Sequence, residues 1–205
     1  EFNKLYKEFL TSEKTEEDKK GFIEDNQIIL RQFSEKAGLE NKSITFLPAY
    51  FNFIEFYLNM DKVASKNDLK TNLQEVKNYL MVGLSNVNLS DKKEIYKDEY
   101  EEDIYEIKEK KRLKSRLDLL FARYKLLSKF YQEACDKLTS SIIQFSELYG
   151  PESIGLTINY YYLATYFDEV LEENKTDVIK GIISRIAEIW KKYFLGEKFE
   201  QFDGN

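Results

Sequence analysis

The chain holds no histidine and a single cysteine, Cys135, among 205 residues. Without histidine, Ser-His-Asp and Cys-His catalysis are excluded, as are His-containing metal sites. With one cysteine no internal disulfide can form, which leads to the expectation of a reducing, cytoplasmic compartment. Proline occurs twice, at Pro48 and Pro151, and the eight glycines include no GxG pair. A sheet-rich fold needs a turn signal every ~8–12 residues, so the shortage argues for helices. Loops of the GxGxxG and GxxxxGK kind, which cradle phosphates, are missing too. No apolar run approaches the roughly 18–20 residues of a membrane span, and no membrane partner is expected. The opening EFNKLYKEFL has neither an initiator Met nor a signal-type apolar stretch, and the expectation is a fragment of something longer.

What is present is charge, aromatics and helical periodicity. Charged residues make up 33% and hydrophobic ones 42%, with 15 Tyr and 15 Phe against one Trp. The net charge of −6 argues against a general nucleic-acid binder, which needs a cationic face to displace counterions. Apolar residues recur at helical spacing through most of the chain. Leu113, Leu117, Leu120, Phe121, Tyr124 and Leu127 form one stripe. Tyr131, Ala134, Cys135, Leu138, Ile142, Phe145 and Tyr149 form a second, and Leu156, Tyr160, Leu163, Ala164, Phe167 and Leu171 a third. A last one holds Val178, Ile179, Ile182, Ile183, Ile186, Ile189, Trp190 and Tyr193. Earlier helices are expected over 2–10, 22–37, 46–58 and 69–84. The total is about eight helices, joined by short polar breaks into antiparallel hairpins.

One stretch is written nearly twice. Residues 30–44 read LRQFSEKAGLENKSI and residues 142–154 read IIQFSELYGPESI. Aligning Ser43 with Ser153 pairs Tyr50 with Tyr160, Phe51 with Tyr161 and Tyr57 with Phe167. The repeated unit is a helix end, a Gly stop and the start of the next helix, with Gly150 expected at C′ and Pro151 at N1. Its period suits two hairpins plus an insertion. The segment 85–103, where NLSDKKEIYKDEYEED loses its apolar stripe, is the natural insertion. The expected organisation is two hairpins over 1–84, the charged insertion 85–103, two hairpins over 104–195 and a tail 196–205. Internal repetition of this kind points to an all-α solenoid.

The hairpins resemble tetratricopeptide repeats. Ala122 stands where the first helix of such a repeat takes a small residue, FYQEA (130–134) where the second takes an aromatic and then Ala, and YYYLATYF (160–167) matches the first-helix pattern. In order along the chain, FLPAYFNFIEFYL, FYQEACDKLTSSI, NYYYLATYF and RIAEIWKKYF are similar to the repeat region of the MYND-finger tetratricopeptide proteins that accompany ciliary inner-arm dyneins. The similarity runs from about residue 21 to 194. Members of that family can carry a zinc-binding MYND finger, which needs many Cys and a His. With one Cys and no His, the finger is either absent or outside this segment, and no cofactor or metal is expected.

The resemblance implies a non-enzymatic scaffold, an accessory subunit that helps attach an axonemal inner-arm dynein to the doublet microtubule or to neighbouring subunits. Its implied partners are a dynein heavy chain, other axonemal or tetratricopeptide subunits, and tubulin; its implied place is the axoneme of a cilium. The groove positions of such repeats fall here on Phe51 and Glu55, Leu119 and Arg123, and Tyr161 and Thr165. The alternative is a cytosolic tetratricopeptide adaptor or cochaperone that binds a peptide of a partner. Two further clusters carry paired readings. The acidic run 98–103 reads as a solvated or partner-facing segment rather than a Ca²⁺ loop, since it lacks EF-hand spacing. The basic cluster KEKKRLKSR (108–116) reads as a helix face partly neutralised by pairs such as Glu106–Lys110, or as a contact for an acidic surface. Cys135, inside an apolar stripe, is expected as a core filler rather than a nucleophile.

Overall fold

The computed structural model describes isolated positions between residues 15 and 25, the helix Leu47–Met60, scattered positions between 70 and 81, and the continuous stretch 102–195. Among these residues every regular element is helical and there is no strand. The fold class is all-α. The chain divides into two compact units, Glu1–Lys97 and Asp98–Asn205, with the division inside the stretch expected as a charged insertion. Most of that insertion, most of the helix expected over 22–37, all of that over 2–10, the tail 196–205 and the Glu106 side chain lie outside the described residues.

In the first unit, α1 is Leu47–Met60, with Pro48 in its first turn, where a missing N–H costs least. It buries Phe51, Ile54 and Leu58 at i, i+3 and i+7, one clean stripe. Helical positions at 70, 73, 74, 76–78 and 81 fall within the helix expected over 69–84, and Val76 there is buried. Near the beginning the structure departs from expectation. Glu17 and Asp18 are already helical, ahead of the expected start at 22. The cause is a capping box: the Thr15 amide donates to the Asp18 carboxylate at 3.0 Å, and the Asp18 amide donates back to Thr15 Oγ1 at 3.2 Å.

The second unit runs α2 (Glu102–Leu127), α3 (Tyr131–Tyr149), a 3₁₀ turn (Ile154–Leu156), α4 (Thr157–Val170) and α5 (Lys175–Phe194). The 26 residues of α2 extend for about 39 Å. Its end is a Schellman closure: the Phe130 amide reaches Lys125 O at 2.9 Å and the Lys129 amide reaches Leu126 O at 3.0 Å. Lys129 takes the left-handed position there, with φ 60°. The Lys125 ammonium sits 4.9 Å from the Phe130 ring centre, closing the turn with a cation–π contact.

This turn sends α3 back antiparallel to α2. Lys111 meets Glu147, Ser115 meets Ser141 and Asp118 meets Lys137, so residue numbers rise on one helix as they fall on the other. Small side chains allow the crossing to be close. Ser115 and Ser141 exchange hydroxyl-to-carbonyl bonds at 3.0 and 2.7 Å, and Asn159 of α4 donates to Ser141 Oγ at 2.6 Å. All three residues are buried, so this polar seam ties three helices in one register, every member partnered. Beside it lies the apolar cluster Leu119, Ala122 and Leu138, with Leu126, Tyr162, Leu163 and Tyr166 packed around it.

The connection from α3 to α4 is longer than the sequence implies. Gly150 ends α3 with φ 82° and ψ 159°, its amide bonded to Ser146 O at 2.9 Å. That conformation is close to glycine-only. Pro151, expected at the first position of the next helix, instead opens a turn at 151–152, and α4 begins only after the 3₁₀ turn. The reason is burial: Leu156 is fully enclosed, and Gly155 passes so close to the Phe145 ring that a side chain at 155 would collide with it. A connection at 171–174, with Asn174 left-handed at φ 55°, then turns α4 into α5.

The written repeat has a structural counterpart in each unit. Helices α1 and α4 are both 14 residues long, and both boundaries are displaced by 110 residues. Their burial differs: Phe51 is enclosed, whereas its counterpart Tyr161 is exposed.

The expected stripes are met unevenly. Leu113, Leu117 and Leu120 are buried, as are Ala134, Leu138, Leu156 and Ala164. The stripe on α5 is the exception. Ile189 alone among its eight residues is buried, while Ile183, Trp190 and Tyr193 are exposed. Successive residues turn by ~100°, so these eight span about 140° of the helix, and Ala187 and Phe194 widen the apolar arc to about 180°. One neighbouring helix cannot cover so wide an arc.

Candidate protein-interaction surface

The six residues expected to contact a partner divide by burial. Phe51 is fully buried, and Leu119 and Arg123 are at most 9% exposed, so these three side chains serve the interior of their own units. Leu119 belongs to the apolar cluster between α2 and α3. Arg123 lies over the Tyr162 ring, 4.8 Å from its centre. Glu55 is half-buried on α1. Tyr161 is 54% exposed and Thr165 half-buried, one turn apart on α4, where the Thr165 hydroxyl donates to Tyr161 O at 3.1 Å.

Of the expected positions, those the second unit leaves open to solvent form a ridge on α4. Ile158, 46% exposed, precedes Tyr161 on the same face, and Thr165 follows. The Tyr161 ring rests edge-on against Tyr162 at 5.2 Å. Through Tyr162 the ridge is backed by Arg123 of α2, so its aromatic edge is held by packing rather than left to swing.

The basic cluster at 108–116 is largely spoken for. Arg112 pairs with Glu109 and Lys111 with Glu147 at 3.1 Å, while Lys110 is buried against the fold. Lys108 and Lys114 remain exposed. This matches the reading of a helix face neutralised by neighbouring acids, through partners the sequence spacing did not single out.

Chemistry-bearing residues are placed structurally. Asp118, 3% exposed, accepts from Lys137 at 2.8 Å, Ser140 at 2.7 Å and Gln144 at 3.1 Å. Cys135 is half-buried; burial, and then the neighbouring Cys135 thiol, push the Tyr166 hydroxyl above its ordinary value. Burial likewise raises Tyr131, helped by Glu169, whose carboxylate accepts its hydroxyl at 3.2 Å. Glu152, ahead of α4, accepts from Lys192 at 2.9 Å and from Arg185 at 3.2 Å, and those cations, Lys192 foremost, draw its carboxyl below the usual range. Among the described residues no group of His, Cys, Asp and Glu is arranged to hold a metal ion, and no helix is long and apolar enough to cross a membrane.

The surface that sequence reasoning missed is the far end of α5. Trp190, Tyr193, Phe194 and Leu195 are all exposed, Phe194 to 74%. Trp190 and Phe194 stack at 5.4 Å, with Tyr193 edge-on to both. The excess width of the α5 apolar arc was the available signal. Comparison with family models, with curated proteins and with solved structures finds no match to this chain.

Proposed function

We propose that the chain is a non-enzymatic helical-hairpin scaffold whose exposed helix faces bind other proteins, its hairpins stacked in the manner of tetratricopeptide repeats. The observation that carries this reading is the Ile158–Tyr161 ridge on α4, an apolar and aromatic edge braced by Tyr162 and Arg123. Exposed, pre-positioned tyrosine is a favoured anchor in protein interfaces because it buries much surface for little lost freedom. The recurrence of a 14-residue helix at a fixed displacement adds support, since repeat arrays act by shape complementarity along a stack.

The finer proposal follows from the ordered segments similar to the dynein-associated tetratricopeptide proteins. In it the chain is an accessory subunit of an axonemal inner-arm dynein, in contact with a heavy chain or neighbouring axonemal subunits and near tubulin. The test is an affinity pull-down of the tagged chain from salt-extracted axonemes of ciliated cells, with co-purifying chains identified by mass. A dynein heavy chain with its light chains is the expected result. Recovery of chaperones or soluble enzymes without dynein would remove the ciliary assignment in favour of a cytosolic adaptor.

A further inference from the structure

We propose that the outer face of α5 is a docking seam for one amphipathic helix of a partner protein, apolar along one ridge and acidic along one flank of it. This deepens the protein-binding reading and rests on it. Ile183, Ala187, Trp190 and Phe194 fall at i, i+4, i+7 and i+11 along α5, spacing that sets side chains on a single ridge. All four are exposed, Ile183 to 54% and Trp190 to 38%. The ridge is continuous with the buried side of the helix, so it is the uncovered part of one wide apolar arc. At its C-terminal end the Trp190, Tyr193 and Phe194 rings hold one another in place, giving a preformed aromatic platform.

Shape limits the occupant. The ridge is about 16 Å long from Ile183 to Phe194. A helix side offers no free backbone edge to an added strand, whereas an amphipathic helix can lay its own apolar row alongside. Charge narrows the choice further. Lys180 and Lys191 border the ridge on one side, both exposed, and among the described residues neither has an ion-pair partner. The other cations of α5 are engaged: Lys175 by Asp168, and Arg185 and Lys192 by Glu152. Two lysines left along one border favour an acidic flank on the incoming helix. A second copy of α5 would bring its own lysine-bordered ridge, setting like charges together.

Trp190 is the only tryptophan in the chain, so its emission reports on this seam alone. The probe is a synthetic amphipathic helix with Leu at i, i+4, i+7 and i+11 and Glu along one flank, titrated into the full chain. Binding should shift Trp190 emission to the blue and shield it from acrylamide. The same peptide with Lys in place of Glu should bind at least about tenfold more weakly, and the double substitution Lys180→Glu, Lys191→Glu should reverse that preference. Phe194→Asp, at an exposed position and checked for retained helicity by circular dichroism, should abolish binding. Equal binding of both peptides, or of neither, overturns the proposal. So does a Trp190 already shielded in the free chain, whether by its own chain or, where the shielding rises with concentration, by a second copy. Partners captured equally by wild type and Phe194→Asp would remove the seam and leave the scaffold reading in place; capture of none by either removes both.

Discussion

Gly150 shows how one residue type decides a local path. Its φ of 82° and ψ of 159° lie where a Cβ is barely tolerated. Gly150→Ala should therefore cost about 1–3 kcal/mol of stability, read as a lowered urea midpoint with an unchanged denaturant slope. A second residue, Glu152, makes stability depend on pH. Lys192 and Arg185 hold its folded carboxyl below the ordinary glutamate value of about 4.3. The folded state therefore binds its proton less readily than the unfolded chain. Its contribution is present above the ordinary value and is lost as the pH falls through the lowered folded value. Thermal melts of wild type and Glu152→Gln should differ at neutral pH and converge on acidification below about pH 4. A gap that persists undiminished into that acid range would show that the carboxylate is not what holds the 3₁₀ approach to α5. At this scale the sequence was informative about Gly150, whose role as a helix stop is a property of glycine. It was silent about Glu152, whose partners lie 33 and 40 positions away.

Helices are where sequence reading succeeds most fully. The stripes on α2, α3 and α4 follow from local spacing, and Leu113, Leu117, Leu138 and Leu156 are enclosed as that spacing implies. Removing one should be expensive: Leu138→Ala, at the centre of the α2–α3 cluster, should lose about 2–5 kcal/mol in denaturant unfolding. The polar seam carries a different cost. Ser141→Ala removes the hydroxyl to which buried Asn159 donates, and an unsatisfied buried amide costs about 1–3 kcal/mol. Serine spacing did not announce this, since Ser115 and Ser141 look like surface residues until the helices cross. Of the surface positions, Tyr161 and Thr165 were legible as neighbours one turn apart on a single helix. The burial of Phe51, Leu119 and Arg123 was not, because a periodic pattern identifies a face without saying which neighbour will cover it.

At the scale of the molecule, 37 acidic residues outnumber 31 basic ones, and the pI lies near 5.1. Solubility should reach a minimum near that pH, where net charge no longer keeps molecules apart; static light scattering across pH 4–8 checks this, and a minimum near neutrality would point instead to apolar self-association. The all-α class was determined by composition and period: too few turn residues for sheets, and apolar residues three and four apart nearly throughout. The helix stop at Gly150 and the near-duplication of the surrounding text were likewise local, short-range facts. Tertiary structure decided the rest. It placed Pro151 outside α4, spent Arg123 on Tyr162, matched Asp118 to donors on α3 and left the Trp190–Phe194 platform uncovered. Local preference depends on neighbours within a turn or two. Burial and ion pairing depend on which distant segment arrives, and that is settled only when the helices pack.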